Sequence, residues 1–232
     1  MYFKKILIAI ALIGLVVCAY FAYFVYNAMF APNTNFSNNE AYVFISRNDT
    51  YDDVREQLKP LLEDIETFDA LANRKQYVDN VKAGKYRIKK GMNNNDIINS
   101  IRSNNIPIKV SFNNQNSIED LAGRIAFQID ADSSSLVKAM KDSLFFKQSG
   151  FTDKTALGMY IPNTYEFYWN TSAKLFRSKM QKEFTTFWNS NRLAKAKKLN
   201  LTKTEVIALA SIVQKETSTV SERPLVAKLY LN

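Results

Sequence analysis

The chain has 232 residues and a formal net charge of +9, from 31 Lys and Arg against 22 Asp and Glu. It contains one cysteine, Cys18, and no histidine. This composition excludes an internal disulfide, a histidine-based catalytic triad, a histidine metal site and a CxxC redox site. The 6 glycines are not clustered, so a glycine-rich phosphate loop is excluded too. We therefore expect no metal and no cofactor, and any catalysis would use carboxylates, hydroxyls, amides, tyrosines or lysines.

The positive charge is compatible with nucleic acid, anionic lipid or an anionic polymer as partner. However, the basic residues are scattered, with only short pairs such as Lys89 and Lys90. No RRM, zinc-finger or helix-turn-helix signature is present, so we do not expect a nucleic acid partner. A solvated basic surface is the default interpretation, and a surface that binds anionic lipid or polymer is an alternative.

An uncharged, strongly apolar run extends from Ile6 to Met29 and is long enough to span a bilayer as one helix. Two lysines precede it and aromatic residues crowd its far end. This pattern predicts a single-pass inner-membrane helix with residues 1–5 in the cytoplasm and the globular part outside it. The alternatives are a cleaved signal peptide and a lipoprotein. The run is longer than a usual signal core, lacks a clear small-x-small cleavage site, and has a valine before Cys18.

Residues 30–40 are polar and Asn-rich, which predicts a linker. Residues 41–108 are predicted to form a small α+β module with its helices on one face of a sheet, because strands and helices follow in β-α-α-β order. The predicted strands are Tyr42–Ile45, Lys82–Ile88 and Ile106–Phe112. The predicted helices begin at Thr50, Glu63 and either Asn93 or Asn94.

Residues 109–232 are predicted to be mostly helical, within an α+β fold. The apolar spacing predicts helices over Asn116–Phe127, Ser133–Asp142, Ser172–Trp188 and Thr202–Glu216, and another from Leu225. The basic segment Ala194–Leu199 is expected to be exposed. Because the apolar periodicity still continues at Asn232, we expect this second domain to be incomplete at its C-terminus.

Aromatic residues surround Pro162-Asn163-Thr164, which is turn chemistry. Tyr160 and Tyr165 are among them. Aromatic rings beside small polar groups are typical of sugar-binding surfaces, because sugar C–H faces stack on rings while amides and hydroxyls bind OH groups. Packing of these aromatics in the core is an equally good interpretation.

Glu216 follows Leu209, Ile212 and Val213 at helical spacing, so it is expected on their apolar face. Burial and the negative end of the helix dipole would both favour its protonated form, which suits a general acid. The polar corner Ser221–Pro224 comes next and could form the floor of a cleft. The alternative is an ordinary solvated glutamate in the last turn of a helix.

The segment ALASIVQKETSTVSERPLVAKLYLN (residues 208–232) resembles the signature that carries the catalytic glutamate in the YceG-like family of endolytic murein transglycosylases. GMYIPNTYEFYWNTS (158–172) and KAGKYRIKKGMNNNDIINSIRSNN (82–105) resemble two further family segments, the latter in a LysM-like subdomain. The resemblance covers essentially the whole chain. The chain departs from it at Gln214, Asn163 and Leu157, where many members have an acidic residue.

The resemblance implies a lyase that cuts the glycosidic bond between N-acetylmuramic acid and N-acetylglucosamine in nascent glycan strands, with Glu216 as the catalytic residue. It implies peptidoglycan glycan strands, the membrane and peptidoglycan synthases as partners. The residues expected to bind substrate or orient Glu216 are Tyr160, Asn163, Thr164, Tyr165, Thr217, Ser221, Glu222 and Asn232. Glu222 is also expected to brace the corner with Arg223. A membrane-anchored protein that binds peptidoglycan without chemistry is the alternative.

Overall fold

The computed structural model describes residues 2–231 and has a mixed, mostly helical architecture. Its helices are α1 (Tyr2–Phe30), α2 (Tyr51–Leu58), α3 (Ile65–Arg74), α4 (Asn94–Ser103), α5 (Ile118–Ala126), α6 (Ser133–Met140), α7 (Ser143–Ser149), α8 (Ala173–Phe187), α9 (Ser190–Lys198), α10 (Lys203–Glu216) and α11 (Arg223–Leu231). Its strands are β1 (Glu40–Ile45), β2 (Gly84–Lys89), β3 (Pro107–Phe112) and β4 (Asn163–Tyr168). Short 3-10 turns cover Lys59–Leu61, Ala156–Met159 and Val220–Glu222.

The chain divides into two compact units. Within the described residues, unit 1 comprises residues 2–108 with 168–170, and unit 2 comprises residues 109–167 with 171–231. In the described part of the chain, one helix, at Phe3–Phe30, is long and apolar enough to cross a membrane. The predicted apolar helix is therefore confirmed as a helix.

Unit 1 has its core between a two-stranded antiparallel sheet and the helices on one of its faces. The register pairs Val43 with Tyr86 and Ala41 with Ile88. Val43, Tyr86 and Ile88 point inward and are at most 2% exposed, and the apolar face of α4 is buried in the same cluster. Alternation along the strands thus places one sheet face in the core and leaves the other in solvent.

The third predicted strand does not join this sheet. β3 pairs instead with β4, a strand that the sequence did not predict. In β4, Tyr165 and Phe167 are buried while Thr164 and Glu166 are exposed, which is the two-residue period of a half-buried strand. The prediction of a turn at residues 162–164 is wrong because Asn163 and Thr164 already belong to this strand.

β2 begins at Gly84 rather than at Lys82. Gly84 has a φ of +159°, and a Cβ there would lie 2.6 Å from Cγ of Asn105. The Asn105 side chain is fixed, because it accepts a hydrogen bond from the Lys85 N–H at 3.0 Å and donates one to Asn170 at 3.1 Å. The absence of a Cβ at Gly84 therefore leaves room for the Asn105 side chain to hydrogen-bond the backbone at the start of β2.

The segment predicted as a linker is part of unit 1. Asn33 is 5% exposed, and its N–H donates to the carbonyl of Met92 at 2.9 Å. Its side chain donates to the Asp64 carbonyl at 2.7 Å and accepts from the Asp64 N–H at 2.8 Å. Asn35 donates to the Leu61 carbonyl at 2.8 Å. The Asn-rich composition predicted a linker. In the structure, the side-chain amide of Asn33 and the backbone N–H groups of Asn33 and Asn35 instead form hydrogen bonds with the backbone of unit 1.

A second buried amide joins α1 to unit 1. Asn94 is 1% exposed, and its Nδ2 donates to the Ala28 carbonyl at 2.8 Å and to Thr67 Oγ1 at 3.1 Å. Its Oδ1 accepts from Asn33 at 2.6 Å. Met29 also packs against the unit 1 core. The last turn of the apolar helix is therefore held by the helices that follow it.

Unit 2 packs α5, α6 and α8 around a core of aromatic and aliphatic side chains. Phe176 on α8 is fully buried and lies 5.2 Å from Phe167, between ring centroids. The basic segment predicted to be exposed lies largely in α9, where Ala196 is the one buried residue of the helix.

Candidate functional site

The helix α10 carries the candidate catalytic glutamate at its last residue. It begins after Thr202, which forms a capping box with Glu205. It is only lightly packed, since Val213 is its one buried residue. Ile207 on α10 lies close to Gly158, where an added Cβ would come within 3.0 Å of its Cγ2. The capping box stabilises the start of α10. The close approach of Ile207 to Gly158 packs the helix against the 3-10 turn Ala156–Met159.

Glu216 itself is exposed. The expectation that it continues a buried apolar stripe is wrong, because on that face only Val213 is buried, while Ile212 is 40% exposed and Glu216 lies at the surface. Apolar spacing predicts the direction of a face but not whether another element covers it. What the structure provides is a carboxylate at the surface, at the end of a helix.

A tyrosine from the next helix contacts this carboxylate. The Tyr230 hydroxyl of α11 donates a hydrogen bond to Glu216 Oε1 at 3.2 Å. The bond and the negative charge of Glu216 raise the pKa of the Tyr230 phenol. Sequence reasoning did not name Tyr230 as a site residue, because it lies in an apolar, helically periodic run and such a pattern predicts packing.

The corner between α10 and α11 is built on Thr217. This residue is 8% exposed, and its hydroxyl donates to Glu222 Oε2 at 2.6 Å and accepts from the Thr219 N–H at 3.0 Å. Glu222 thus braces the corner through Thr217, whereas Arg223 was the expected partner. The neighbouring Ser221 is exposed in the 3-10 turn. Thr217, Ser221 and Glu222 therefore lie within six residues of Glu216 on one ordered corner.

The rings of the aromatic segment that belong to unit 2 are buried in its core. Tyr160 is 4% exposed and stacks on Phe176 with 6.1 Å between ring centroids. Tyr165 stacks on Phe112 at 5.8 Å, and its hydroxyl donates to the Ile161 carbonyl at 2.6 Å. Burial raises the pKa of the Tyr165 phenol to about 12. The rings of Tyr160 and Tyr165 are thus packed inside and do not form the expected sugar-stacking face.

The remaining predicted residues have different positions. Asn163 and Thr164 are exposed at the start of β4, and Asn163 Oδ1 accepts from the Thr164 N–H at 2.8 Å. Asn232 lies outside the described residues. Among the residues that the structure describes, no group of three or more Cys, Asp or Glu side chains could hold a metal ion.

A family model for the YceG-like family matches residues 43–232, which include Glu216 and the whole corner. The chain belongs to the YceG-like family. No curated protein matches the chain. The crystal structure of a yceG-like protein from Listeria monocytogenes is similar, with 21% identity and a TM-score of 0.48. That match covers 81% of this chain and 67% of the Listeria chain.

In this YceG-like protein, the hydrogen bond between Tyr230 and Glu216 predicts that the pKa of Tyr230 depends on Glu216. Glu216→Gln removes the negative charge beside the phenol, so the pKa of Tyr230 should fall toward its ordinary value of 10.0. The phenol would then ionise at lower pH than in the unmodified protein. NMR titration of ring-labelled tyrosine measures this, with Tyr230→Phe to assign the signal. Glu222→Gln is the control and should leave the titration of Tyr230 unchanged.

Proposed function

We propose that the protein is an endolytic peptidoglycan lytic transglycosylase, a lyase anchored in the inner membrane. It would cut the bond between N-acetylmuramic acid and N-acetylglucosamine in nascent glycan strands, leave 1,6-anhydro ends, and so terminate glycan elongation. Membership of the YceG-like family supports this activity. The observation that carries it is the exposed carboxylate of Glu216, which receives a hydrogen bond from Tyr230 at the end of α10.

A single carboxylate suffices for a lytic reaction. Most glycosidases need two, one as acid and one as base or nucleophile. In the proposed mechanism, protonated Glu216 gives its proton to the glycosidic oxygen as the C1–O bond breaks. The C6 hydroxyl of the same muramic acid residue then attacks C1, and its proton passes to the Glu216 carboxylate. The 1,6-anhydro ring closes, and Glu216 regains its starting state without water being consumed.

The corner beside Glu216 would hold the glycan. The Ser221 hydroxyl is exposed and near the carboxylate in sequence, so it can bind a sugar OH group. Thr217 is occupied by Glu222 and Thr219, which makes it a residue that fixes the backbone after Glu216. Asn163 and Thr164 are exposed and remain candidates for more distant sugar contacts.

The length and apolar character of α1 support anchoring, which we propose with the N-terminus in the cytoplasm and the globular part outside it. Lys4 and Lys5 before the apolar run favour this orientation. The position at the membrane suits strands that are still being made, with peptidoglycan synthases as neighbours. We propose that unit 1 corresponds to the LysM-like subdomain and holds the strand.

The outer face of the β1–β2 sheet favours a second candidate function, peptidoglycan binding without chemistry. Tyr42 and Phe44 are 41% and 40% exposed there, and Lys85 Nζ lies 4.4 Å from the Tyr42 ring centroid. Arg87 is also exposed on this face. Rings can stack on sugars, and cations can pair with the carboxylates of muramic acid and stem peptides. Such a face could serve either the enzyme or a scaffold.

The products of the reaction separate the two functions. Purified glycan strands are incubated with the full-length protein in detergent, and soluble products are analysed by mass spectrometry. We expect fragments whose muramic acid ends are lighter by one water than reducing ends, because the ring closes internally. Reducing ends would contradict the lyase and indicate a hydrolase. Binding to sacculi without soluble products would support the scaffold and overturn the enzyme.

A further inference from the structure

The basic helix α9 and the start of α10 form a surface of unit 2 that the proposed reaction does not use. Between Ser190 and Thr204 the chain carries five cationic residues and no acidic one. They are Arg192, Lys195, Lys197, Lys198 and Lys203. Arg192 packs on the Phe187 ring, with 4.2 Å from its guanidinium carbon to the ring centroid. In the described part of the chain, no hydrogen bond or ion pair engages the four lysine ammonium groups.

The same surface exposes leucines. Leu193 is 40% exposed and Leu199 is 52% exposed. A hollow of about 400 Å³ lies beside α9 and is lined by Leu193, Ala196, Lys197, Asn200, Leu201, Thr202 and Lys203. Its lining combines the apolar side chains of Leu193, Ala196 and Leu201 with two lysines, an arrangement that suits a molecule with an anionic group beside a hydrocarbon chain.

We infer that this surface, α9 with residues 199–203, binds an anionic lipid bilayer, with a lipid phosphate between Lys197 and Lys203 and acyl carbons against Leu193. Free cations next to exposed leucines are the chemistry of helices that lie in a membrane interface. A soluble anionic polymer would use the lysines but not the leucines, so the leucines favour a lipid. Each lysine near an anionic surface contributes about fivefold to binding.

The inference rests on the proposed anchoring by α1, which would keep this surface near the bilayer at high effective concentration. Because α1 would already anchor the chain, the basic surface needs only a weak lipid affinity of its own to contact the bilayer. The surface would thus be a second membrane contact, made by unit 2.

The test places a fluorophore at position 199. Leu199→Cys is made in a Cys18→Ser background, and the full chain is reconstituted into vesicles of phosphatidylcholine, with or without phosphatidylglycerol. Quenching by headgroup-labelled nitroxide lipid reports contact. The matched probe is Phe127→Cys, because Phe127 is an apolar residue of unit 2 that is 93% exposed. We expect strong quenching at position 199 in anionic vesicles only, and weak quenching at position 127 in both.

The charge variant changes Lys195, Lys197, Lys198 and Lys203 to Gln. It should lower the equilibrium constant for lipid contact at position 199, read from the quenching, at least tenfold, since each lysine contributes about fivefold. Its control changes four other exposed lysines of unit 2 to Gln, with the same loss of charge: Lys138, Lys154, Lys174 and Lys182. The control should retain quenching.

Three results would overturn the inference. Equal quenching at positions 199 and 127 would mean that the surface makes no specific contact. A change in the fluorescence of the probe at position 199 with soluble polyphosphate, but not with anionic lipid, would indicate that the surface binds a polymer instead. If the protein did not co-float with neutral vesicles in a density gradient, the anchoring by α1 would be overturned. This inference, which rests on that anchoring, would be overturned with it.

Discussion

Glu216→Gln is expected to slow the release of anhydro-ended glycan strongly while leaving glycan binding nearly unchanged. The amide has the size of the carboxyl group but can neither give a proton to the glycosidic oxygen nor take one from the C6 hydroxyl. A positioned general acid–base group contributes about 10²- to 10⁴-fold to the rate, and we expect kcat to fall by that factor. Product release from purified strands, followed over time, measures kcat, and co-sedimentation with sacculi measures binding.

Glu166→Gln provides the control, because Glu166 is another exposed glutamate of unit 2 in a family-like segment. Its backbone carbonyl, not its carboxylate, accepts the hydrogen bond of Lys179. The Glu166 variant should therefore keep its activity. A Glu216 variant that released products at the unmodified rate would disprove the assignment, and loss of activity in Glu166→Gln alone would move the catalytic role to β4.

Asn94→Ala is expected to destabilise unit 1 strongly and to loosen the end of α1. The change removes the three hydrogen bonds that join Asn94 to Ala28, Thr67 and Asn33. Each buried polar group left without a partner costs about 1–3 kcal/mol, so we expect a loss of about 3 kcal/mol in the free energy of unfolding. Denaturant unfolding in detergent measures the loss, and hydrogen exchange of residues 27–35 measures the loosening.

The matched control is Asn99→Ala, the same chemical change on the same helix. Asn99 is exposed, and its side chain accepts one hydrogen bond from Lys75 at 3.1 Å. Surface changes of this kind usually alter stability by less than about 0.5 kcal/mol. Equal effects of the two variants would contradict a specific role for the buried amide, and unchanged exchange in residues 27–35 would show that Asn94 does not hold α1.

Local chemistry predicted most of the helices correctly. Thr50 and Thr202 were expected to cap helices, and each forms a capping box in the structure. Asn93 caps α4, as one of two adjacent candidates. Such signals work because a cap is a contact within three residues, so the sequence contains both partners.

Features that depend on distant partners could not be predicted in this way. β4 was missed because its pairing partner, β3, lies about fifty residues earlier, and Pro162 beside Asn163 suggested a turn. The exposure of Glu216 depends on whether another element covers α10, which spacing does not reveal. Tyr230 is brought to Glu216 only by the corner at Thr217.

The ordered segment after α1 restricts how unit 1 can move relative to that helix. Residues 33–35 hydrogen-bond to Met92 and Leu61, directly after the helix ends at Phe30. Because residues 33–35 are not a flexible linker, unit 1 would share the tilt and rotation of α1 when that helix spans a bilayer. If the proposed function is right, unit 1 would meet glycan strands by lateral diffusion in the membrane plane, within a thin layer at constant height.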